Sequence, residues 1–322
     1  MKKSLFIVAE ISGNHKQSLD RAFKLVDAAA KAGADAIKLQ TFKPEGMTLN
    51  INKGEFVLKD KKINSSWRNK TLYEVFKIAQ TPWEWHKRIF KRAKKKGLKY
   101  FSSPFDEEAV EFLEKLKVPF YKIASAENIH FPLIEKVIKT KKPIIISTGM
   151  INLKELDDLV SFVKKKGCKD LTLLKCTTEY PSSANDSNIL SIPFLKKRYK
   201  CKVGLSDHTL GIGASVAAIS LGARIIEKHL TLDRKDGAID SFFSLEPKEF
   251  KLLVRECKNA FYSLGKIDVN PSSSEKKYLK YRRSIYVAED IKKNDRFTKS
   301  NLKVIRPGLG MHPKFYESII GK

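Results

Sequence analysis

Cysteine is scarce in this chain. The 322 residues contain four, Cys168, Cys176, Cys201 and Cys257, with no C-x-x-C pair among them. Nothing here reads as a cysteine framework, and a reduced, cytoplasmic protein is expected. Long apolar runs are also missing: none approaches the roughly 20 residues that a membrane span requires. The apolar opening is broken by Glu10 and then by Asn14-His15, so it reads as a first strand rather than a leader. Acidic residues are the third shortage. Asp and Glu number 36 against 63 Lys and Arg, a net charge of +27. The lysines gather in clusters such as Lys94-Lys95-Lys96, Lys164-Lys165-Lys166 and Lys196-Lys197-Arg198, each closing an apolar-periodic segment, as solvated helix faces do. Lysine also far outnumbers arginine. No nucleic-acid partner and no membrane is therefore expected, and the charge is read as steering of a small anionic substrate.

Apolar content is ordinary, at 42% hydrophobic and 10% aromatic residues, so a folded core is expected. Short β-rich runs recur at Leu5 to Ile11, Ala36 to Phe42, Leu98 to Phe105, Phe120 to Ala124, Pro143 to Thr148, Leu171 to Thr177, Lys202 to Ser206 and Arg224 to Leu230. Between them lie segments of helical period, for instance Leu19 to Ala32, stopped by Gly33, and Leu153 to Lys166, closed by Gly167. Eight such alternations predict an α/β fold, a (β/α)8 TIM barrel over residues 1–264, with an open doubly wound sheet as the alternative. Residues 43–82 form a lysine-rich insertion after the second strand, read as a lid. Residues 265–280 read as a linker. Residues 281–322 form a small β-rich domain with strands expected at Ser284 to Ala288, Ile291 to Phe297 and Val304 to Pro307. About forty residues cannot bury a strong core alone, so this piece should lean on its own barrel or on a second subunit.

Barrel enzymes keep their chemistry at the C-terminal ends of the strands. Nearly every run here ends in polar residues: Glu10, Lys38 with Gln40, Ser103, Lys122 with Ser125 and Glu127, Ser147, Tyr180 after Thr177, Ser206 with His208, and Glu227 with His229. Period-two alternation puts Lys38 with Gln40, Ser206 with His208, and Glu227 with His229 on shared faces. Two lysines ringed by Ser103, Ser125, Ser147 and Ser206 suit a ligand carrying a phosphate and a carboxylate. His86, beside Trp83 and Trp85, reads as structural. His208 and His229 end adjacent strands with oxygen donors nearby, which leaves open a Mn²⁺-type metal pair or two packed core histidines.

The motifs Glu10-Ile-Ser-Gly-Asn-His15, Lys38-Leu-Gln40, Ser102-Ser-Pro-Phe105, Lys122-Ile-Ala-Ser-Ala-Glu127, Ser147-Thr-Gly-Met150, Gly204-Leu-Ser-Asp-His-Thr209, Glu227-Lys-His229 and Arg306-Pro-Gly-Leu-Gly310 run the length of the chain. Together they resemble the sialic-acid synthases, which join phosphoenolpyruvate to an acetamido hexose. Within that family, Thr81-Pro-Trp-Glu-Trp-His86 and Leu174-Lys-Cys-Thr-Thr-Glu-Tyr-Pro181 are most similar to the pseudaminic-acid branch. Thr178 stands where the neuraminic-acid branch usually has Asn, so a 2,4-diacetamido-trideoxy hexose is the expected sugar; neuraminate and legionaminate synthesis are the alternatives. The resemblance implies a barrel followed by an antifreeze-like (SAF) domain that covers the partner's site in a domain-swapped homodimer. That domain is here expected to be truncated, as the chain stops at Lys322.

The same resemblance implies roles. Lys38, Ser103, Lys122, Ser125, Ser147 and Ser206 would hold phosphoenolpyruvate. Gln40, Glu127, Tyr180 and Asp240 would face the sugar, and Arg306 would reach its acetamido group from the partner, a lone exposed arginine being the plainer reading. A divalent metal (Mn²⁺, Mg²⁺ or Co²⁺) on His208 and His229 would polarise the aldehyde. Glu10 would orient or deprotonate water, with Glu127 the second candidate; ion pairing with Lys38 and Lys122 is the bland alternative for both. Two rival classes remain: a Schiff-base aldolase using Lys38 or Lys122, and a non-catalytic basic binding protein.

Overall fold

The β-rich runs become strands because Ile, Val and Leu on both faces leave them buried on both sides, as parallel sheets require. In a computed structural model, which describes residues 5–59 and 67–322, they are β1 Phe6–Glu10, β2 Ala36–Thr41, β3 Lys99–Pro104, β4 Tyr121–Ile123, β5 Ile144–Ser147, β6 Leu171–Cys176, β7 Lys202–Asp207 and β8 Ile225–His229. Each pairs parallel with the next, and β8 pairs with β1, so the sheet closes into the expected barrel. A helix follows every strand: α1 Leu19–Ala32, α2 Trp83–Lys95, α3 Glu107–Lys115, α4 Phe131–Lys139, α5 Leu153–Lys165, α6 Ser191–Tyr199, α7 Gly213–Ser220 and α8 Pro247–Ser263.

Local signals set the helix ends. The Ser18 side chain accepts from the Arg21 N–H at the start of α1, and Gly33 ends it at φ 86°, a left-handed conformation that costs a residue with a Cβ about 1 kcal/mol or more. Asn152 and Glu155 close a capping box on α5. Helix α8 begins at Pro247 because Pro fits the first helical position and Glu246 forms a box with Glu249.

Two apolar layers result. The large one lies between strands and helices and includes Ile7, Leu25, Ile37, Leu113, Ile146 and Leu253. The small one fills the barrel itself: Val8, Ala36, Phe101, Ile145 and Leu174, with Phe6, Phe120 and Ile225 beneath. Gly204 on β7 belongs to this crowded interior, since a Cβ there would sit 2.3 Å from the Ile225 carbonyl oxygen. Two residues beyond Val8, Ala36, Phe101, Phe120, Ile145 and Ile225 stand Glu10, Lys38, Ser103, Lys122, Ser147 and Glu227, so the same alternation that plugs the barrel floor lifts polar and charged groups to its C-terminal mouth.

The insertion after β2 folds into short pieces, Pro44–Met47, Gly54–Phe56 and the helix Leu72–Ala79. Trp67 packs edge-on against Phe242 in the loop after β8, with ring centroids 6.0 Å apart, so the insertion reaches over the mouth. Residues 60–66 of the expected lid lie outside the described residues.

The chain divides into two compact units, Met1–Gly265 and Lys266–Lys322. In the second, the stretch expected to be pure linker carries helical turns at Ser273–Lys276 and Leu279–Tyr281. Strands β9 Ser284–Val287 and β10 Leu302–Ile305 pair antiparallel, so β10 starts two residues before the expected Val304. The strand expected at Ile291 to Phe297 does not form. Asp295 instead accepts from the Lys292 N–H at 2.8 Å to close a turn, and Phe297 exchanges backbone bonds with Gly321 and Lys322.

Candidate active site

The inward positions at the top of β1, β2, β3, β4, β7 and β8 hold Glu10, Lys38, Ser103, Lys122, Ser206 and Glu227, all buried. At their centre is an alternating chain of charges. Glu10 pairs with Lys38 through Oε2, Lys38 Nζ lies 3.4 Å from Glu227 Oε1, and Lys122 Nζ lies 2.9 Å from the same oxygen. Ser206 Oγ donates to Glu227 Oε1 at 3.2 Å, Lys38 donates to Ser103 Oγ at 3.2 Å, and Glu10 Oε1 accepts the Ser12 N–H at 2.6 Å. Burying four ions costs several kcal/mol each, which the mutual pairing offsets only while every partner is present. Sequence reasoning placed Glu227 with His229 on the inward face of its strand but gave it no role.

The two carboxylates are driven apart. Burial pushes the Glu10 carboxyl up, against the opposing pull of Lys38, whereas for Glu227 Lys122 and Lys38 overcome burial and hold it well below the usual carboxylate range. Glu227 is thus the fixed counter-ion, and Glu10 the carboxyl able to carry a proton. Among the lysines, burial lowers Lys122, while for Lys38 the same burial is outweighed by Glu10 and Glu227 and its affinity for a proton rises.

On β5 and the loop after β4, Ser147 Oγ is buried without a hydrogen-bond partner, as is Glu127 Oε2. Buried polar atoms left open in this way suit a ligand. Burial raises Glu127 to about 7. Ser125 Oγ accepts the Gly149 N–H at 3.2 Å, and Asn128, which sequence reasoning overlooked, donates to the Ser147 and Gly149 carbonyls at 3.2 and 2.8 Å. Gly149 leaves no room for a Cβ, which would lie 2.2 Å from Thr178 Oγ1 and 2.6 Å from Ser125 Oγ. Thr178 therefore borders the serine cluster.

Above this, His208 and His229 face each other with ring centroids 5.4 Å apart. His208 Nδ1 lies 2.9 Å from the Thr177 carbonyl and must donate to it, so in the neutral ring Nε2 carries the lone pair. His229 Nδ1 meets Ser12 Oγ at 3.3 Å, and burial keeps this ring well below its ordinary pKa, hence neutral. Burial also lowers His208, but Cys176, whose Sγ is 4.0 Å from Nδ1, reverses the shift. Two imidazoles oriented through Nδ1 are the donor chemistry of a first-row metal site. Among the described residues no group of three or more His, Cys, Asp and Glu side chains forms a ligand set, so a metal here would complete its shell with water or substrate oxygens.

The other expected residues are spread around this centre. The Tyr180 ring lies tilted, 4.5 Å from the His208 ring and 4.9 Å from Phe243, which itself lies 4.8 Å from His229. Asp240 donates its N–H to Asn14 Oδ1 at 3.2 Å, and burial raises its carboxyl. Gln40 is half-buried on β2, opposite Ser103 in register. His86 is structural as expected, bonded to Thr41 Oγ1 at 2.8 Å. Arg306 is exposed in the second unit, just past β10.

Fold and site together define a TIM-barrel protein with two buried lysines and the unpartnered Ser147 hydroxyl at the mouth. Residues 25–269 match the NeuB family and residues 282–322 the SAF domain, and the chain belongs to that family. It is 44% identical, over 99% of its length and 92% of the relative's, to a pseudaminic acid synthase of Campylobacter jejuni. It is 37% identical, over 100% of its length and 96% of the relative's, to an N,N'-diacetyllegionaminic acid synthase of the same species. The crystal structure of an N-acetylneuraminic acid synthetase from Leptospira borgpetersenii in complex with citrate matches with TM-score 0.75 and 33% identity, covering 86% of this chain and 90% of that one.

Proposed function

We propose that this protein is a pseudaminic acid synthase, condensing phosphoenolpyruvate with the open-chain aldehyde of 2,4-diacetamido-2,4,6-trideoxy-L-altrose and water to give the nonulosonic acid and phosphate. The observation that carries this reading is the buried lysine pair, Lys38 and Lys122, at the end of the barrel where Ser147 also carries a buried hydroxyl with no partner. Identity of 44% over nearly the whole chain with a pseudaminic acid synthase selects the sugar.

Lys122 and Lys38 turn from Glu227 and Glu10 towards the phosphate and carboxylate, and Ser147 and Ser103 donate to the same anion. A divalent ion (Mn²⁺, Mg²⁺ or Co²⁺) bound by His208 and His229 would supply Lewis-acid polarisation of the aldehyde oxygen. The methylene carbon of phosphoenolpyruvate bonds to the aldehyde carbon, whose oxygen gains a proton. Water adds to the carbon bearing the phosphate; one of its protons ends on the new alcohol oxygen, and the other leaves with the phosphate as its C–O bond breaks and the ketone forms. Glu10, the carboxyl able to exchange a proton, takes one from that water; Glu127 serves the sugar side. The protein acts as a homodimer in which Arg306 meets the partner's sugar, a reading supported by the thin buried set of the second unit, Ile285 and Leu302 among its apolar residues. We place the activity in the cytoplasm, consistent with four free cysteines.

The test is incubation with phosphoenolpyruvate, Mn²⁺ and a panel of acetamido hexoses, reading phosphate and product mass. Phosphate release with the L-altro diacetamido sugar is expected. Turnover of N-acetylmannosamine or the legionaminate precursor alone would move the chain to a sister activity, and release without any sugar adduct would end the synthase reading.

A further inference from the structure

Directly behind the two histidines lies a second buried ion pair that the reaction above does not use. Asp207 and Lys228 point away from the barrel axis on β7 and β8, their side chains 1% exposed and their Oδ2 and Nζ 2.8 Å apart. They are register partners across the two strands, and each immediately precedes a site histidine.

Both members of the pair are also bonded to their surroundings. Asp207 Oδ1 accepts the Thr209 N–H at 2.9 Å and its hydroxyl at 2.7 Å, and Oδ2 accepts Ser215 Oγ of α7 at 2.6 Å. Lys228 Nζ donates to the Thr209 carbonyl at 2.7 Å. Thr209 is thereby held at both its N–H and its C=O, so the backbone on the far side of His208 is fixed. The His208 carbonyl is also taken, by the Ser182 N–H at 3.0 Å, and the His229 carbonyl by the Leu245 N–H at 2.9 Å. A buried ion pair contributes little net stability, and an apolar pair of similar volume often serves as well or better. Strands β7 and β8 are already joined by their own ladder. Stability is therefore a poor account of two desolvated charges at this level of the barrel.

We propose that Asp207 and Lys228 are positioning residues: by pinning Thr209 and the β7–β8 register, they fix where the His208 and His229 imidazoles project into the site. The proposal rests on the synthase reading for its consequence in turnover, but its structural content does not.

Asp207→Asn with Lys228→Met removes both charges together and leaves no unpaired ion, while the Asn oxygen can still accept from Thr209. In the metal-free full-length protein, the ¹⁵N imidazole resonances of His208 and His229 are expected to shift and broaden, with the melting temperature within a few degrees of the parent. In turnover, kcat should fall about tenfold or more while KM for phosphoenolpyruvate stays within about twofold, because Lys38 and Lys122 are untouched. Ser215→Ala, which frees one bond to Asp207, should give the same pattern more weakly and serves if the double variant does not fold. Unchanged histidine resonances at unchanged melting temperature, or a loss of stability with kcat and resonances intact, would overturn the proposal. If the parent shows no synthase activity, the functional reading fails, yet the resonances still decide the positioning claim.

Discussion

Among single residues, environment rather than identity separates the carboxylates of the site. Glu10, Glu127 and Glu227 are the same side chain, yet Glu227 is held ionised by two lysines, while burial pushes Glu10 and Glu127 towards the neutral form. Glu127, raised to about 7, binds a proton in the folded state that the unfolded chain has already released. Stability from this group is present below the unfolded value near 4.5 and is lost as pH rises towards 7. The Glu127→Gln variant, which cannot ionise, should show a flatter fall in melting temperature between pH 5 and 7.5 than the parent, measured by calorimetry; an identical slope would place Glu127 outside this linkage. Most of the residue-level site was legible, because polar groups at strand ends have no other reason to recur around a barrel. Glu227 was not, since its role as common counter-ion to Lys38 and Lys122 depends on a meeting of β2, β4 and β8 that no local pattern shows.

Strand alternation carries most of the design at the level of elements. Inward side chains run apolar, then polar, at six of the eight strands: Val8 to Glu10, Ala36 to Lys38, Phe101 to Ser103, Phe120 to Lys122, Ile145 to Ser147, Ile225 to Glu227. On β7 the corresponding lower position is Gly204, and its missing side chain lets β8 pass close. Gly204→Ala should therefore push β7 from β8, destabilise the barrel by about 1–3 kcal/mol in urea unfolding, and lower kcat by displacing Ser206 and His208; an unaltered unfolding midpoint would show that the strands absorb the methyl. The eight strands were readable because their β-branched runs are bounded by Gly and helical periods. Ile291 to Phe297 misled because its apolar ends flank Lys292-Lys293-Asn294-Asp295, where an aspartate side chain closes a turn in place of a ladder.

Over the whole molecule, the +27 charge and the site must be considered together. The innermost cluster is balanced, Lys38 and Lys122 against Glu10 and Glu227, so the site's own charges give little net pull on a distant anion. Any long-range attraction must come from the lysines that close the helices, which are solvent-exposed and so act through salt solution, where the Debye length is about 10 Å at 0.1 M. A field of that origin is screened by salt, whereas the buried pairs are not. Raising ionic strength from about 10 to 200 mM should therefore raise KM for phosphoenolpyruvate several-fold, with kcat and the KM of the uncharged diacetamido sugar nearly constant, as read from initial rates of phosphate release. Equal sensitivity of both substrates would instead implicate the fold or the mouth itself. Complete insensitivity would mean that the surface lysines serve solubility alone and that the anion is recognised only once it reaches Lys38 and Lys122.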